Sequence, residues 1–185
     1  MEDKAEPSSP KFPFRITIYH AAQDDPKKNT ALRLKRRGFV RIVTKTRFLP
    51  KRAIVLNPFG EIAFSPADRQ RIEQFGLAAL DCSWEHAEKV MGDHIKGTSR
   101  CLPILIAGNA VNFGKLTKLT TAEAIAAALY IVGFQKESYE LLSIFTWGHT
   151  FFDLNATLLD NYVKAKDSAE IVEMQNRLLK VRKCE

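Results

Sequence analysis

The 185-residue chain contains no apolar run near the ~20 residues a membrane-spanning helix needs. Its longest candidate, Ala122 to Phe134, is interrupted by Glu123. The chain opens Met1-Glu2-Asp3-Lys4, without the apolar core of a secretory signal, so a cytosolic location is expected. Cysteine is scarce. Cys82, Cys101 and Cys184 are odd in number and share no short spacing, which argues against a disulfide framework or a zinc site and leaves reduced thiols. Glycine is missing where several chemistries need it. There is no Walker-type phosphate loop, no Gly-x-Gly-x-x-Gly after a strand and no Gly-x-Ser-x-Gly elbow. A metal site is not expected: His149 and Asp153 stand four apart on an expected helix, but two ligands do not close a site, and an ion pair or surface hydrogen bond suits them better. His20, His86 and His94 have no partners in sequence.

Acidic residues are absent from one long stretch. From Lys27 to Arg52 the chain carries eleven basic residues and no acid: Lys27, Lys28, Arg33, Lys35, Arg36, Arg37, Arg41, Lys45, Arg47, Lys51 and Arg52. The formal net charge is +7. Clustered Lys and Arg bind a phosphate backbone largely through counterion release, whatever the base sequence. A solvated face is the competing explanation, but such faces usually mix both signs. A membrane surface fits less well, because these residues do not lie on one amphipathic helix. RNA binding is therefore assigned to this stretch.

Along the chain, residues 1–13 carry three prolines and two serines and read as a disordered tail. Phe14, Ile16 and Ile18 alternate with polar residues as a first strand. Thr30 is placed to cap a short helix from Ala31 to Arg37, ended by Gly38. Phe39 to Val43 predicts a second strand, and Ala53 to Leu56 is a further apolar run. Ser65-Pro66-Ala67-Asp68 predicts a helix start, with the helix stopping at Gly76. Leu77 to Cys82 is mostly apolar and predicts a central strand. Trp84, Ala87, Val90 and Met91 follow at helical spacing. Leu102 to Ala107 is ambiguous between strand and helix. Thr120-Thr121-Ala122-Glu123 offers a capping box for a helix through Ile131. Helical patterns continue at Lys136–Phe145, Trp147–Lys164 and Asp167–Lys183. The expected fold is α/β: a mainly parallel N-terminal sheet with flanking helices (residues 14–100), and an all-helical part (residues 101–185) that completes a cleft.

Candidate chemistry concentrates between Leu80 and Ala128. Asp81 closes the expected central strand, where ligands of such sheets bind; it suits a proton acceptor or substrate-orienting group and equally a helix cap. Trp84 suits stacking on a base, or core packing. Glu123 is a weaker candidate base, since capping explains it. Across the presumed cleft, Gly108-Asn109-Ala110-Val111-Asn112-Phe113-Gly114 places two Asn and two Gly in seven residues, a sign of special backbone geometry. Leu119, Thr121 and Ala124 then open a helix whose N-terminus suits a carboxylate.

Leu80-Asp-Cys-Ser-Trp84, Leu102-Pro103, Ala107-Gly-Asn-Ala-Val-Asn-Phe-Gly114, Leu119-Thr-Thr-Ala-Glu-Ala124 and Ile131-Val-Gly-Phe134 together resemble the ribosomal RNA aminocarboxypropyltransferase family, in an archaeal-type form. Asp25-Pro-Lys-Lys-Asn-Thr30 and Phe145-Thr-Trp-Gly-His-Thr-Phe-Phe152 fit as well, so the resemblance runs from Phe14 to about Ala169. The sequence departs from the family at Asn29, where Cys is common, and at Gly108 and Ala110, where Ala and Pro are common. The resemblance implies a SPOUT-like knotted topology and S-adenosylmethionine in the cleft. It implies transfer of the 3-amino-3-carboxypropyl group to N3 of a pseudouridine- or uridine-derived nucleotide in small-subunit rRNA. By position, Thr30, Leu80, Leu102, Thr117 and Thr121 would contact the cofactor. Leu56, Pro58, Trp84, Leu119 and Ala124 would line the adenine pocket, and Trp84 with Ala87 would cover the methyl group. Asp81 is the candidate base. No dimer face stands out, and a monomer is expected. Two alternatives use the same features: a SPOUT-type RNA methyltransferase and a non-catalytic rRNA-binding assembly factor.

Overall fold

Five short parallel strands carry the architecture: β1 (Ile16–His20), β2 (Arg41–Val43), β3 (Ile54–Leu56), β4 (Leu77–Asp81) and β5 (Thr98–Arg100). They lie in the order β2-β1-β4-β3-β5, so β4 is the middle strand, as its apolar run predicts. The computed structural model describes residues 12–21, 29–82 and 97–181. The expected helix around Trp84 to Met91 lies outside them, as do residues 1–11 of the expected tail. Phe12 is buried against Phe14 and Phe39, with ring centroids 5.9 and 5.4 Å away, so the tail assigned to residues 1–13 stops short of it.

Alternation along the strands sorts side chains onto two buried faces. Ile16, Ile18, Ile54, Leu56, Leu77 and Ala79 join the larger core, while Tyr19, Val43, Val55 and Ala78 join a smaller one with Leu49 and Ala53. β1 alternates apolar with polar residues in sequence, yet all five of its residues are buried. Both faces of a parallel sheet are covered, so Thr17 and His20 go inside with the apolar residues.

Helices α1 (Thr30–Arg36), α2 (Arg69–Phe75), α3 (Thr121–Ile131), α4 (Gln135–Leu142), α5 (Gly148–Tyr162) and α6 (Ser168–Val181) complete the described fold. Asn29, rather than Thr30, caps α1: its side-chain oxygen accepts from the Leu32 amide at 2.9 Å, and Thr30 is the first helical residue. The helix start expected at Ser65–Asp68 forms, closed by a capping box, and opens a short 3-10 turn that runs into α2. Gly76 ends that helix at φ +87°, and a Cβ there would stand 2.5 Å from the Arg15 carbonyl oxygen, so the turn into β4 admits only glycine. α3 is buried along nearly its whole length and carries the Thr120–Glu123 capping box that its sequence predicts.

The ambiguous segment 102–107 is neither strand nor helix. It is irregular apart from an isolated bridge between Ile106 and Leu116, and side chains satisfy much of its backbone. Asn155 pairs with both backbone groups of Ile106 at 2.8 Å each. Gln175 accepts from the Ile104 amide at 2.8 Å, and the Tyr162 hydroxyl donates to its carbonyl at 3.1 Å. Backbone polar groups buried without partners are costly, so α5 and α6 supply them where no strand is adjacent. Strand β5 was not foreseen, because Thr98-Ser99-Arg100 has no apolar signal; it is an edge strand anchored by Arg100 to Asp68 at 2.9 Å. No described helix is long and apolar enough to cross a membrane.

Candidate small-molecule cleft and basic rim

The carboxyl ends of β3, β4 and β5 open into one cavity of about 330 Å³, within the usual size range of small-molecule sites. Leu56, Pro58, Leu80, Leu102, Thr117, Leu119, Thr121 and Ala124 all line it, so eight residues spread over 69 positions of chain meet there. Asn57, Ala79, Cys82, Cys101, Pro103 and Thr120 complete the wall. These six were missed, although Asn57 and Pro103 adjoin residues that were named, and Ala79 and Cys82 flank strand-end positions. Thr30 is not part of the wall. Trp84 and Ala87 lie outside the described residues. Leu56, Pro58, Leu119 and Ala124 give the wall apolar surface, and Asn57, Thr117, Thr120 and Thr121 give it polar residues.

Thr117 is the one described non-glycine residue with positive φ, at 60°. A β-branched residue there is strained by roughly 1–2 kcal/mol, and such outliers persist where the surroundings hold them. Its amide is held by the Leu105 carbonyl at 2.9 Å and its hydroxyl by the Leu116 carbonyl at 2.7 Å.

Asp81 stands behind this wall as a junction. One carboxylate oxygen accepts from the Asn29 amide at 2.7 Å and faces His20 Nδ1 at 2.7 Å; the other accepts from the Thr121 hydroxyl at 2.6 Å. One side chain thus ties β1, the cap of α1, β4 and the start of α3. His20, without a partner in the sequence, finds one only through the register that sets it beside Asp81. Glu123 is fully buried and spent on structure: it accepts from the amides of Gly108, Asn109 and Thr120, the Asn109 side chain and the Thr120 hydroxyl. His149 does not realise an ion pair with Asp153 but meets the Thr150 hydroxyl at 3.4 Å. Among the described residues, no group of three potential metal ligands forms.

The two cavity cysteines are quiet thiols. Burial, aided by the negative charge of Asp81, pushes Cys82 up to about 11 from an ordinary 9.0, and burial raises Cys101 as well. Because the folded value lies above the unfolded one, the contribution to stability is complete below pH 9 and is lost as pH rises from 9 towards 11. At pH 8, iodoacetamide should label Cys82 about a hundredfold more slowly than an unhindered thiol, since each pH unit changes the thiolate fraction tenfold. Mass spectrometry of tryptic peptides reads the rate site by site, and comparable rates for Cys82 and a model thiol would contradict the burial.

All nine described members of the basic stretch are exposed; Lys27 and Lys28 lie outside the described residues. Arg33, Lys35, Arg36 and Arg37 belong to α1 and its end, Arg41 to the edge strand β2, and Lys45, Arg47, Lys51 and Arg52 to the crossover between β2 and β3. Helix α1 packs on the larger core, whereas Leu49 of the crossover packs on the smaller one. The positive charge therefore forms a rim around the β2 edge rather than one flat patch. Arg33, Arg36 and Arg37 line a second cavity with Ile144, and Arg33 lies over the Phe145 ring at 4.7 Å.

A parallel sheet with a cleft at the carboxyl ends of its strands and helices on its faces defines an α/β protein of the open-sheet class. The chain matches the family model described as "Ribosome biogenesis protein, C-terminal" over residues 54–179, a span that contains every wall residue of the cleft. It is 46% identical over 90% of its length to the 16S rRNA aminocarboxypropyltransferase of Methanothermobacter thermautotrophicus, of which 99% is covered. It is also 46% identical, over 89% of its length, to the enzyme of that name from Methanosarcina acetivorans, with 94% of that protein covered. The solved structure of the SAM-dependent rRNA:acp-transferase Tsr3 from Vulcanisaeta distributa superposes with a TM-score of 0.81 at 38% identity, covering 92% of this chain and 98% of that one. The chain belongs to the rRNA aminocarboxypropyltransferase family.

Proposed function

We propose that this protein is an S-adenosylmethionine-dependent transferase that moves the 3-amino-3-carboxypropyl group onto small-subunit rRNA during ribosome biogenesis, at N3 of a pseudouridine- or uridine-derived nucleotide. Kinship with 16S rRNA aminocarboxypropyltransferases over nine-tenths of the chain carries this reading. The cleft suits the cofactor: its volume fits, its apolar side suits an adenine ring, and its threonines suit the polar methionine end. When bound, the cofactor supplies a sulfonium with three activated carbons, so the walls decide which one faces the RNA.

Leu56, Pro58, Leu119 and Ala124, with Trp84, hold the adenine and exclude water. Leu80, Leu102, Thr117 and Thr121 hold the remainder, with Thr30 nearby, while Trp84 and Ala87 shield the methyl. Asp81 fixes the Thr121 hydroxyl and retains one of about four acceptor positions, at which it would take the N3 proton while the S–C bond to the transferred group breaks and 5′-methylthioadenosine leaves. The basic rim, Lys27 and Lys28 included, holds the RNA backbone. Residues 14–100 bear that rim and residues 101–185 close the cleft, through a SPOUT-like knotted path in which residues 117–124 return over the strand ends. The protein acts in the cytoplasm as a monomer.

Incubation with carboxyl-labelled S-adenosylmethionine and rRNA tests the assignment, and label in the RNA is expected. Incorporation of methyl label alone would make the protein a methyltransferase, and absence of cofactor binding by calorimetry would leave an assembly factor. RNA affinity should fall steeply with salt, and a flat dependence would remove the rim from the RNA surface.

A further inference from the structure

The segment between Ala107 and Lys118 is a built excursion whose outermost side chains are apolar and face solvent. Val111 is 83% exposed and Phe113 60%. A floppy loop would explain such exposure without function, but the turn is held from below. Two backbone bonds close its base, from the Ala107 amide to the Lys115 carbonyl at 2.9 Å and from the Gly114 amide to the Ala107 carbonyl at 2.8 Å. The Asn109 side chain accepts from the amides of Val111 and Asn112, fixing the tip from within. Gly114 reverses the chain at φ +76°. The buried carboxylate of Glu123 grips Gly108 and Asn109 from the helix behind.

Two features indicate what meets this tip. Its descending arm continues into the cleft wall at Thr117, Leu119 and Thr120, so the tip and the wall belong to one short segment of chain. From Gly108 to Ala122 the chain has two lysines, Lys115 and Lys118, and no acid, which suits a polyanion and disfavours a basic protein surface.

We propose that Val111 and Phe113 form an RNA-contacting tip, with Phe113 stacking on an unpaired base beside the target nucleotide and Lys115 facing its phosphate. The inference rests on the transferase reading for its substrate. N3 lies on the Watson–Crick edge, closed off inside a base pair, so the acceptor must leave any helical stack to reach a cleft in the protein. An aromatic ring on a rigid turn that runs directly into the wall of that cleft holds the neighbouring base and keeps the displaced nucleotide out.

The test compares wild type with Phe113→Ala and Phe113→Trp in naked-rRNA filter binding, carboxyl-label transfer and calorimetry with S-adenosylmethionine. Phe113→Ala should weaken RNA binding and raise KM for rRNA about tenfold, the scale of one lost base stack. Cofactor affinity should stay unchanged, and Phe113→Trp should restore RNA binding. Unchanged RNA binding by Phe113→Ala overturns the proposal. So does an equal loss of cofactor affinity, which would make Phe113 a support of the cleft. A loss seen only with protein-bearing small subunits overturns it in favour of a protein contact. Filter binding needs no turnover, so a wild type that binds RNA without transferring label would sink the transferase reading while filter binding still decides the tip.

Discussion

Replacing Glu123 with alanine should destabilise the protein by about 3–5 kcal/mol, the scale of leaving several buried donors without an acceptor. The side chain is fully buried, and five donors converge on it: three amides, one side-chain amide and one hydroxyl, all at 2.7–3.0 Å. Alanine leaves those donors without an acceptor, and each unsatisfied buried donor costs about 1–3 kcal/mol before water or relaxation offsets part of it. For a chain of this size the melting temperature should fall by roughly 10–15 °C. Damage should also reach the cleft, because the same carboxylate holds Gly108 and Asn109 at one end of the excursion and Thr120 at the other. Cofactor affinity is expected to drop at least about tenfold, the weight of one charge-assisted hydrogen bond. Glu123→Gln keeps the size and one acceptor oxygen but turns an NH2 towards the donors, so it should fall between. Thermal unfolding and calorimetry measure both effects. A melting temperature within about 2 °C of wild type would mean that the five contacts do not hold the turn together.

What could be read in advance follows the range of each signal. Short-range chemistry was legible: Ser65 and Asp68, Thr120 and Glu123, and Gly76 act within a few residues, and each helix boundary they mark is where expected. The middle strand was legible because Leu77 to Leu80 is an unbroken apolar run, the usual mark of a strand covered on both faces. β5 was not, since Thr98-Ser99-Arg100 owes its place to β3 and to Asp68 rather than to its own preference. The cap of α1 was misplaced by one residue, because Asn29 and Thr30 are both good caps and only the tertiary link from Asn29 to Asp81 separates them. In the cleft, eight wall residues came from resemblance to a family; no spacing rule joins Leu56 to Thr121. His20 shows where local reasoning ends. It lies 61 residues from Asp81, and only the parallel pairing of β1 with β4 makes them neighbours. The division of the basic stretch between the two sides of the sheet was equally hidden, because charge counting carries no direction.

Asp81→Asn should slow single-turnover transfer about a hundredfold or more, the usual loss when a general base is removed. The substitution keeps the shape of the side chain but replaces one acceptor oxygen with a donor, where His20, Asn29 and Thr121 all approach. If Asp81 takes the N3 proton, the loss falls on the rate at saturating cofactor and rRNA, with cofactor affinity changed only a few-fold. If Asp81 acts solely by fixing Thr121, cofactor affinity should suffer first. Thr121→Val removes the same hydrogen bond from the other side and should then reproduce the whole defect. The base assignment therefore expects Asp81→Asn to be much slower than Thr121→Val at saturation, and the positioning assignment expects the two to match. His20→Gln adds a third comparison, since glutamine can keep a hydrogen bond towards Asp81 without an imidazole: near wild-type transfer would show that the ring only orients the carboxylate. Equal single-turnover rates together with equal cofactor affinity for wild type and Asp81→Asn would remove Asp81 from both roles.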